Sequence, residues 1–304
     1  MSTIVLTGAA GFVGRALLDE AGAEHEWVAV DLGFPENWNP GRAVTESVAS
    51  DLSDPGPLAT LLGRVRPDAV VHLAGWTGKG GSKENRTKLL DANLSSTWNL
   101  LDAIGMAAIP KPQFVLASSA LVYGNQPGPF REDFSTLPSD EYAATKWLAE
   151  EILRASARGG SVIPTVVRPA VIYGPGQGGT MFVPSLARAL AKGEPFPMTA
   201  GEQRRDLVHV RDVARAILAL LRARSEGVFN VGTGTGISML EVGRKMAGRI
   251  GRSDLLRVGQ IPYRSNEVWD YAVDSSRLSK ETGWSPRVDL EDGLDQTLNE
   301  EKKR

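Results

Sequence analysis

The chain opens with a strand–turn–helix signature, Leu6-Thr7-Gly8-Ala9-Ala10-Gly11-Phe12-Val13-Gly14. The apolar run just before it, Ile4–Leu6, predicts a short β-strand, and residues 11–21 predict a helix. The three glycines let the backbone turn tightly and approach a ligand closely. A pyrophosphate at this turn would meet the unpaired amides of a helix N-terminus, so the signature predicts a dinucleotide site. Its predicted contacts are Gly8, Gly11, Phe12, Val13 and Gly14.

Strand and helix patterns alternate through the first half of the chain. The further predicted strands are 27–30, 69–73, 114–117 and 164–168, and the further predicted helices are 54–64, 83–107 and 141–158. Such alternation implies a parallel sheet that is covered on both faces and binds its ligand at the carboxyl ends of the strands. We therefore predict an α/β fold with a Rossmann-like, doubly wound parallel sheet.

The regular alternation of strand and helix patterns ends after Arg168. A glycine-rich loop at 174–179 precedes predicted helices at 182–192, 210–222, 238–250 and 290–300 and one predicted strand at 228–231. No repeat and no low-complexity linker separates the two halves, so we expect them to pack closely. We predict a dinucleotide-binding domain at 1–168 and a smaller, mixed α/β, mainly substrate-binding region at 169–304, with segments near 205–230 returning to the first.

Composition excludes several classes of site. The 304 residues contain no Cys, which excludes disulfides, thiolate metal sites and a Cys nucleophile, and we predict no metal. The 34 Lys and Arg residues against 36 Asp and Glu argue against nucleic-acid binding through a basic surface. No apolar run approaches the ~20 residues of a membrane span, and the first residues lack the basic region of a signal peptide. We expect a soluble, cytoplasmic protein without a membrane partner.

Asp31 ends the second predicted strand, about 20 residues after the glycine turn. A carboxylate there accepts hydrogen bonds from ribose hydroxyls and repels a 2′-phosphate, which favours NAD(H) over NADP(H); the alternative is an ordinary turn aspartate. Further predicted cofactor contacts are Asp51 and Leu52, near the adenine, and Leu73, Ala74 and Gly75, at the end of the third predicted strand. We assign no chemistry to the neighbouring His72, since such histidines are more often structural.

Tyr142 and Lys146 lie one turn apart on the same face of a predicted helix. A phenol titrates near pH 10, and a neighbouring ammonium and a cationic nicotinamide both lower that pKa toward a useful range. Ser119 follows the fourth predicted strand, where ligands bind in open α/β sheets. We predict that Ser119 shares a substrate oxygen with Tyr142. The alternative for Ser118 and Ser119 is a strand terminus that caps its own turn.

Together these residues resemble the extended short-chain dehydrogenase/reductases of the NAD-dependent epimerase/dehydratase type. The matching positions are the glycine turn, 72–75, Asn93, Ser119, Tyr142, Lys146, 168–176, 205–210, 229–234 and 274–286. The resemblance implies additional cofactor contacts at Asn93, Ser118, Tyr142, Lys146 and Pro169. It also implies a homodimer formed through the helices at 83–107 and 141–158.

The family resemblance implies a nucleotide-diphosphate sugar as substrate, with hydride passing between the nicotinamide and a sugar carbon, usually C4. It places Arg205 and Arg264 where similar enzymes hold the diphosphate, which suits guanidinium groups; surface salt bridges are the alternative. Ala170 departs from the pattern, because similar enzymes usually carry an Asn there that touches the substrate phosphate. Either Gln177 or backbone amides compensate, or the substrate is held differently. A second departure, the glycine-rich segment 76–81, is either a substrate-facing loop with Lys79 near a phosphate or a solvated turn.

Subtypes of this family differ in their additional acid/base groups. Its 4,6-dehydratases need an Asp-Glu pair directly after the catalytic hydroxyl residue, where this chain has Ala120 and Leu121, and its 3,5-epimerase/reductases need a Cys. Two C4 reactions remain. Segments 174–177, 182–184 and 210–215 resemble reductases of nucleotide-linked 4-keto-6-deoxyhexoses, and we predict a 4-ketoreductase in which Tyr142 donates the proton. The alternative is a 4-epimerase with tightly held NAD, which Asp31 suits.

Two further alternatives lie outside nucleotide-sugar chemistry. A non-catalytic, dinucleotide-binding regulatory protein would not need the set of Ser119, Tyr142 and Lys146. An enzyme of flavonoid or steroid ketones would not need two substrate arginines. The segment 229–232 also favours a charged nucleotide substrate over these ketones.

Overall fold

The computed structural model describes residues 2–22, 24–78, 80–264 and 267–303, so Lys79 lies outside the described residues. The strands are β1 (Ser2–Thr7), β2 (His25–Asp31), β3 (Val44–Ala49), β4 (Ala69–His72), β5 (Gln113–Ala117), β6 (Ile163–Pro169), β7 (Val171–Tyr173), β8 (Phe196–Met198), β9 (Arg204–His209), β10 (Gly227–Val231), β11 (Gly236–Ser238), β12 (Leu256–Val258) and β13 (Asp270–Tyr271). The α-helices are α1 (Phe12–Glu20), α2 (Pro55–Val65), α3 (Lys83–Leu89), α4 (Ser96–Ala107), α5 (Glu141–Arg158), α6 (Phe182–Lys192), α7 (Val210–Ala223), α8 (Met239–Arg249), α9 (Ser276–Thr282) and α10 (Leu290–Lys302).

A seven-stranded parallel sheet forms the centre, in the order β10-β6-β5-β4-β1-β2-β3. Side chains of β1 alternate between its two faces, as the strand period requires. Ile4 and Leu6 pack in one buried cluster with Leu17 of α1, whereas Val5 packs in another with Leu62 of α2. The prediction of a doubly wound α/β sheet is confirmed.

The chain order reverses beside β1, whose neighbours are β2 and β4. In sheets of this kind ligands bind at the carboxyl ends of the strands, at the point where the order reverses. The glycine turn after β1, Asp31 after β2 and Leu73 after β4 all lie at this edge. The sheet therefore positions the predicted cofactor residues from three separate segments of the chain.

The long helix predicted at 83–107 contains a π-helical turn, Leu90–Ser95, between α3 and α4. Turns of this kind occur frequently at functional sites. Asn93 lies in it, and its carboxamide is directed at the loop after β4 and at α5. The periodicity of the sequence predicted the helix but not this widening.

Smaller sheets and helices form the rest. Strand β9 pairs antiparallel with β11 and parallel with β13 and β7, and β8 pairs with β12. They pack with α6, α8 and α10 around a third buried cluster that includes Leu186, Val242 and Leu294. Strand β10 joins the large sheet from late in the chain. The division at residue 168, with a returning segment, stays a prediction.

None of the helices within the described ranges is long and apolar enough to cross a membrane.

Candidate active site

The glycine turn forms a cradle that admits no side chains at two of its positions. Gly8 has φ +72, and a Cβ there would lie 2.5 Å from the backbone nitrogen of Ala74. A Cβ on Gly14 would lie 2.2 Å from the Gly8 carbonyl oxygen. Helix α1 begins directly after Gly11, which provides no side-chain cap, so its first amides can receive an anion. The cradle fits the pyrophosphate of a dinucleotide.

Asp31 fastens the end of β2 to this cradle. Its carboxylate accepts from the amide of Ala10 at 2.9 Å and from the amide of Leu32 at 2.8 Å. A negative charge is thereby fixed beside the glycine turn, where the ribose of a dinucleotide would lie.

Ser119, Tyr142 and Lys146 are brought together, as the sequence predicts. Ser119 ends the segment after β5, while Tyr142 and Lys146 lie in the first turns of α5, which Asp140 caps through the amide of Ala143 at 2.7 Å. The Ser119 hydroxyl lies close enough to the Tyr142 phenol to lower the pKa of that phenol. It also accepts from the amide of Leu121 at 3.2 Å, which is the contact that the turn-capping alternative predicts.

Burial controls the titration of both helix residues. It raises the pKa of Tyr142 to about 12, with a further contribution from the Asp140 carboxylate, although the Ser119 hydrogen bond opposes the rise. Burial also lowers the pKa of Lys146 to about 8 against the opposing carboxylate of Glu150. Without a bound cofactor, the protein therefore keeps the Tyr142 phenol protonated. The sequence predicted that the Lys146 ammonium lowers the pKa of this phenol, but burial has the larger effect.

Lys146 is held in place from two sides. Its ammonium donates to the carbonyl of Ala117 at 2.9 Å, at the end of β5. A Cβ on Gly75 would lie 3.1 Å from its Nζ, so the backbone after β4 passes close to the amine. The amine thus lies between the ends of β4 and β5, at the ligand-binding edge of the sheet.

Asn93 braces this region. Its Oδ1 accepts from the amide of Trp76 at 2.9 Å, and its Nδ2 donates to the Trp76 carbonyl at 3.0 Å and to the Thr145 hydroxyl at 3.1 Å. These bonds use the carboxamide to hold the loop after β4 against α5. A direct contact between Asn93 and a cofactor stays a prediction.

The other predicted cofactor residues lie along the same strand ends. The hydroxyl of Ser118 donates to Glu150 at 2.5 Å, so a cofactor contact at Ser118 would use its backbone. Pro169 ends β6, and Leu73, Ala74 and Gly75 follow β4. Asp51 is exposed, and Leu52 is buried in the cluster that includes α2. His72 is buried between the hydroxyls of Thr7 at 2.6 Å and Ser96 at 3.3 Å, and burial lowers its pKa to about 3.

The two predicted substrate arginines, Arg205 and Arg264, differ in their surroundings. Arg205 on β9 pairs with the carboxylate of Glu267 and donates to the carbonyl of Val268 at 2.6 Å. Its pKa is lowered by burial and by the positive charge of Arg264, against the opposing charge of Glu267. Arg264 is exposed. The ion pair to Glu267 means that a substrate diphosphate would share or displace that carboxylate.

Three further positions from the sequence analysis have defined contacts within the protein. The amide of Gln177 donates to the carbonyl of Ile172 at 2.9 Å, folding back on its own loop. Asn230 is completely buried within β10, accepts from the Tyr123 phenol at 2.8 Å and donates to the Phe130 carbonyl at 2.9 Å. The segment 229–232 is therefore buried inside the protein, and its use as a sign of a charged substrate stays a prediction. Ala170 is buried in the main core cluster and brings no polar side-chain atom.

Two functional candidates were missed from the sequence. Tyr271 on β13 is buried, and burial raises the pKa of its phenol well above 10, against the opposing effect of the nearby Ser119 hydroxyl. Glu150 is completely buried, one helical turn after Lys146. The sequence could have indicated Glu150, because it lies four residues after Lys146 and therefore on the same face of the predicted helix. Tyr271 gave none, because a two-residue strand has no readable period.

Among the described residues, no cluster of three or more His, Asp or Glu side chains is placed to hold a metal ion.

Comparison with protein families gives one match. The model of the NAD dependent epimerase/dehydratase family matches residues 4–232, which include the glycine turn, Ser119, Tyr142 and Lys146.

Individual relatives match over nearly the whole chain. A dTDP-L-rhamnose 4-epimerase of Burkholderia thailandensis is 29% identical, with 96% of this chain and 92% of that protein covered. A UDP-glucose 4-epimerase of Mycolicibacterium smegmatis is 31% identical, with 98% and 97% covered.

Solved structures agree in fold. MoeE5 in complex with UDP-glucuronic acid and NAD has a TM-score of 0.88 at 31% identity, covering 99% of both chains. RMD of Pseudomonas aeruginosa, a reductase complexed with NADPH, has a TM-score of 0.84 at 27% identity and covers all of both chains.

Proposed function

The chain belongs to the NAD-dependent epimerase/dehydratase family, the extended short-chain dehydrogenases/reductases that act on nucleotide sugars, and we propose that it is a nucleotide-diphosphate sugar 4-epimerase with bound NAD. The observation that carries the proposal is the assembled set of Ser119, Tyr142 and Lys146 beside the glycine cradle. The 4-epimerases among its relatives support this reaction over the 4-ketoreductase that the sequence favoured. The similarity to RMD keeps the ketoreductase as the second candidate.

NAD fits the described residues better than NADP. The carboxylate of Asp31 lies next to the cradle, where it would bind ribose hydroxyls and repel a 2′-phosphate. The residues that follow it, Leu32 to Trp38, include no Lys or Arg that could neutralise such a phosphate. Because an epimerase returns the hydride that it removes, it needs no exchange of cofactor, which suits tight NAD binding.

The mechanism follows from the positions of the three side chains. The chemistry that NAD supplies when bound is reversible acceptance of the hydride of C4. Tyr142 takes the proton of the C4 hydroxyl as the C4–H bond breaks, so that a C4 ketone forms and the electron pair leaves with the hydride. Ser119 holds the same oxygen. The reacting form of Tyr142 is the phenolate, which the Lys146 ammonium and the positive nicotinamide of bound NAD would stabilise and which becomes a phenol when it takes the proton. After the sugar turns, the hydride returns to its other face and Tyr142 gives the proton back.

The substrate's diphosphate would lie against Arg205 and Arg264. Two guanidinium groups within electrostatic reach of each other favour an anion between them. Arg205 is paired in the backbone register with Tyr271, whose phenol approaches Ser119. Strand β13 would thereby connect the region that binds the diphosphate with the region that holds the reacting sugar.

We further propose a homodimer. Leu90 and Trp98 on the 83–107 helix and Leu148 on α5 are large apolar side chains that stay 45%, 54% and 38% exposed. These two helices contact each other on one side of the sheet. A second copy of the chain that packs the same helices against them would bury this surface.

The deciding experiment incubates the purified protein with UDP-glucose, UDP-glucuronic acid and dTDP-L-rhamnose without added cofactor, and follows the sugars by NMR. Conversion of one of them to its C4 epimer is the expected result, and Tyr142→Phe serves as the control that abolishes it. Stoichiometric loss of NADH with a nucleotide-linked 4-keto sugar, without epimerisation, would establish the ketoreductase instead. Failure of both assays would refute the proposal.

A further inference from the structure

Glu150 joins the catalytic helix to two strands of the large sheet. Its carboxylate accepts from the hydroxyl of Ser118 at 2.5 Å, directly after β5. On β6, the guanidinium of Arg168 donates to the same carboxylate through Nε at 2.9 Å and Nη2 at 2.6 Å. Glu150 is completely buried and Arg168 is 2% exposed. One carboxylate therefore connects α5, β5 and β6 inside the protein.

Fold stability alone gives a weak reason for such a pair. Desolvation of two charges offsets most of their attraction, and apolar replacements of buried ion pairs are often neutral or stabilising. The geometry offers a different reason. Ser118 directly precedes Ser119, and Glu150 lies one helical turn after Lys146. The segment that carries Ser119 and the helix that carries Lys146 are therefore linked through the Glu150 carboxylate.

We propose that Glu150 is a positioning residue. Through its bonds to Ser118 and Arg168, it holds the side chains of Ser119 and Lys146 at the correct positions relative to Tyr142. A small misplacement of reacting groups can cost about 100-fold in rate, so this clamp has a measurable catalytic role. The inference rests on the proposed roles of Ser119, Tyr142 and Lys146, but it is independent of the choice between epimerase and ketoreductase.

The carboxylate also acts on the charge of Lys146. Lys146 is faced by Glu150 on its own helix and by His72 of β4, and Glu150 in turn is faced by Arg154 and Arg168. His72 is neutral above pH 4 because burial lowers its pKa to about 3. The Glu150 carboxylate raises the pKa of Lys146 against the effect of burial. Loss of that carboxylate lowers the pKa of Lys146 below about 8.

The test uses the double variant Glu150→Gln with Arg168→Gln, which removes both charges together and leaves two amides that can pair. Wild type and variant are compared as NAD-loaded enzymes for thermal midpoint, bound NAD, kcat and KM. Separately, lysine labelled with ¹³C at Cε is titrated by NMR, and the Lys146 signal is identified by its loss in Lys146→Met. We expect kcat to fall about 10- to 100-fold, with KM and NAD content within about threefold of wild type, and the Lys146 midpoint to move to lower pH.

Arg154→Gln is the matched control. Arg154 also pairs with Glu150, at 2.9 Å, but from the solvent side of α5, and its loss leaves the bonds to Ser118 and Arg168 in place. We expect its kcat and its Lys146 midpoint to equal those of wild type. A folded, NAD-loaded double variant with wild-type kcat would overturn the inference, as would equal losses in the control.

The two proposals fail in different ways. If the wild-type enzyme turns over none of the nucleotide sugars, the proposed function fails, while the NMR titration still tests the clamp. An unchanged Lys146 midpoint in the double variant would then overturn the positioning role.

Discussion

Replacing Lys146 by Met should stabilise the protein while it removes activity. Burial lowers the pKa of Lys146 from 10.5 to about 8, and the side chain is only 6% exposed. This difference in pKa lowers the free energy of unfolding by about 3 kcal/mol at pH values where the amine is charged in the folded protein. Met keeps the unbranched stem without the charge, but leaves the carbonyl of Ala117 without its donor, which costs about 1–2 kcal/mol. The expected net gain is about 1–2 kcal/mol at pH 7.

The sign of the pH dependence makes this prediction specific. The pKa of Lys146 is depressed on folding, so the unfolded chain binds the additional proton and the cost is fully present below pH 8. It declines as the pH rises from 8 toward 10.5 and is lost above 10.5, where the amine is neutral in both states.

Thermal and urea denaturation of nucleotide-stripped protein at pH 7 and pH 10 would measure the effect. We expect the variant's midpoint to be about 2–3 °C higher at pH 7 and the advantage to be lost at pH 10. A variant that is less stable than wild type at pH 7, or a gain that does not change with pH, would refute the reasoning.

Three further perturbations test the site and the surface. Tyr142→Phe should lower kcat by about 100- to 10,000-fold without loss of bound NAD, measured as nucleotide released on denaturation, and unchanged turnover would exclude Tyr142 as the acid/base. Asp31→Ala should narrow the preference for NAD over NADP in fluorescence-monitored binding, because the carboxylate that repels a 2′-phosphate is removed; a wild-type protein that prefers NADP would contradict this. Trp98→Glu should shift the protein from dimer to monomer in sedimentation at micromolar concentration, since Trp98 is 54% exposed on the proposed interface; a wild-type monomer would argue against that interface.

The large sheet was predictable because its elements are long and locally patterned. The helix at Glu141–Arg158 and the helix at Phe182–Lys192 were predicted with the bounds that the structure has. Strand β3, Val44–Ala49, was missed because its alternating residues include Glu46 and Ser47. Strands β7, β8 and β11 to β13 have two or three residues each, too few for a period. Only pairing with a partner from elsewhere in the chain makes them strands.

The grouping of Ser119, Tyr142 and Lys146 was predictable because Tyr142 and Lys146 are close in the chain and Ser119 lies at a recognisable strand end. The polar framework behind it was not. Asn93 reaches Trp76 and Thr145 only because a π-helical turn directs it there, and Glu150 meets Arg168 only when α5 packs on β6. Such contacts depend on packing between elements distant in sequence, which local pattern does not encode.

Strand β10 is translated long after β6, its partner in the sheet, and this order has a consequence for biosynthesis. Strand β6 has an unpaired edge until Gly227–Val231 reaches it, and that edge is apolar at Val166 and Val167. The roughly 60 residues between β6 and β10 take about 3–12 s to translate at 5–20 residues per second. During that interval the nascent chain presents an open β-edge to other chains. The ribosome-bound intermediate, rather than the finished enzyme, is therefore the species for which chaperone protection matters most.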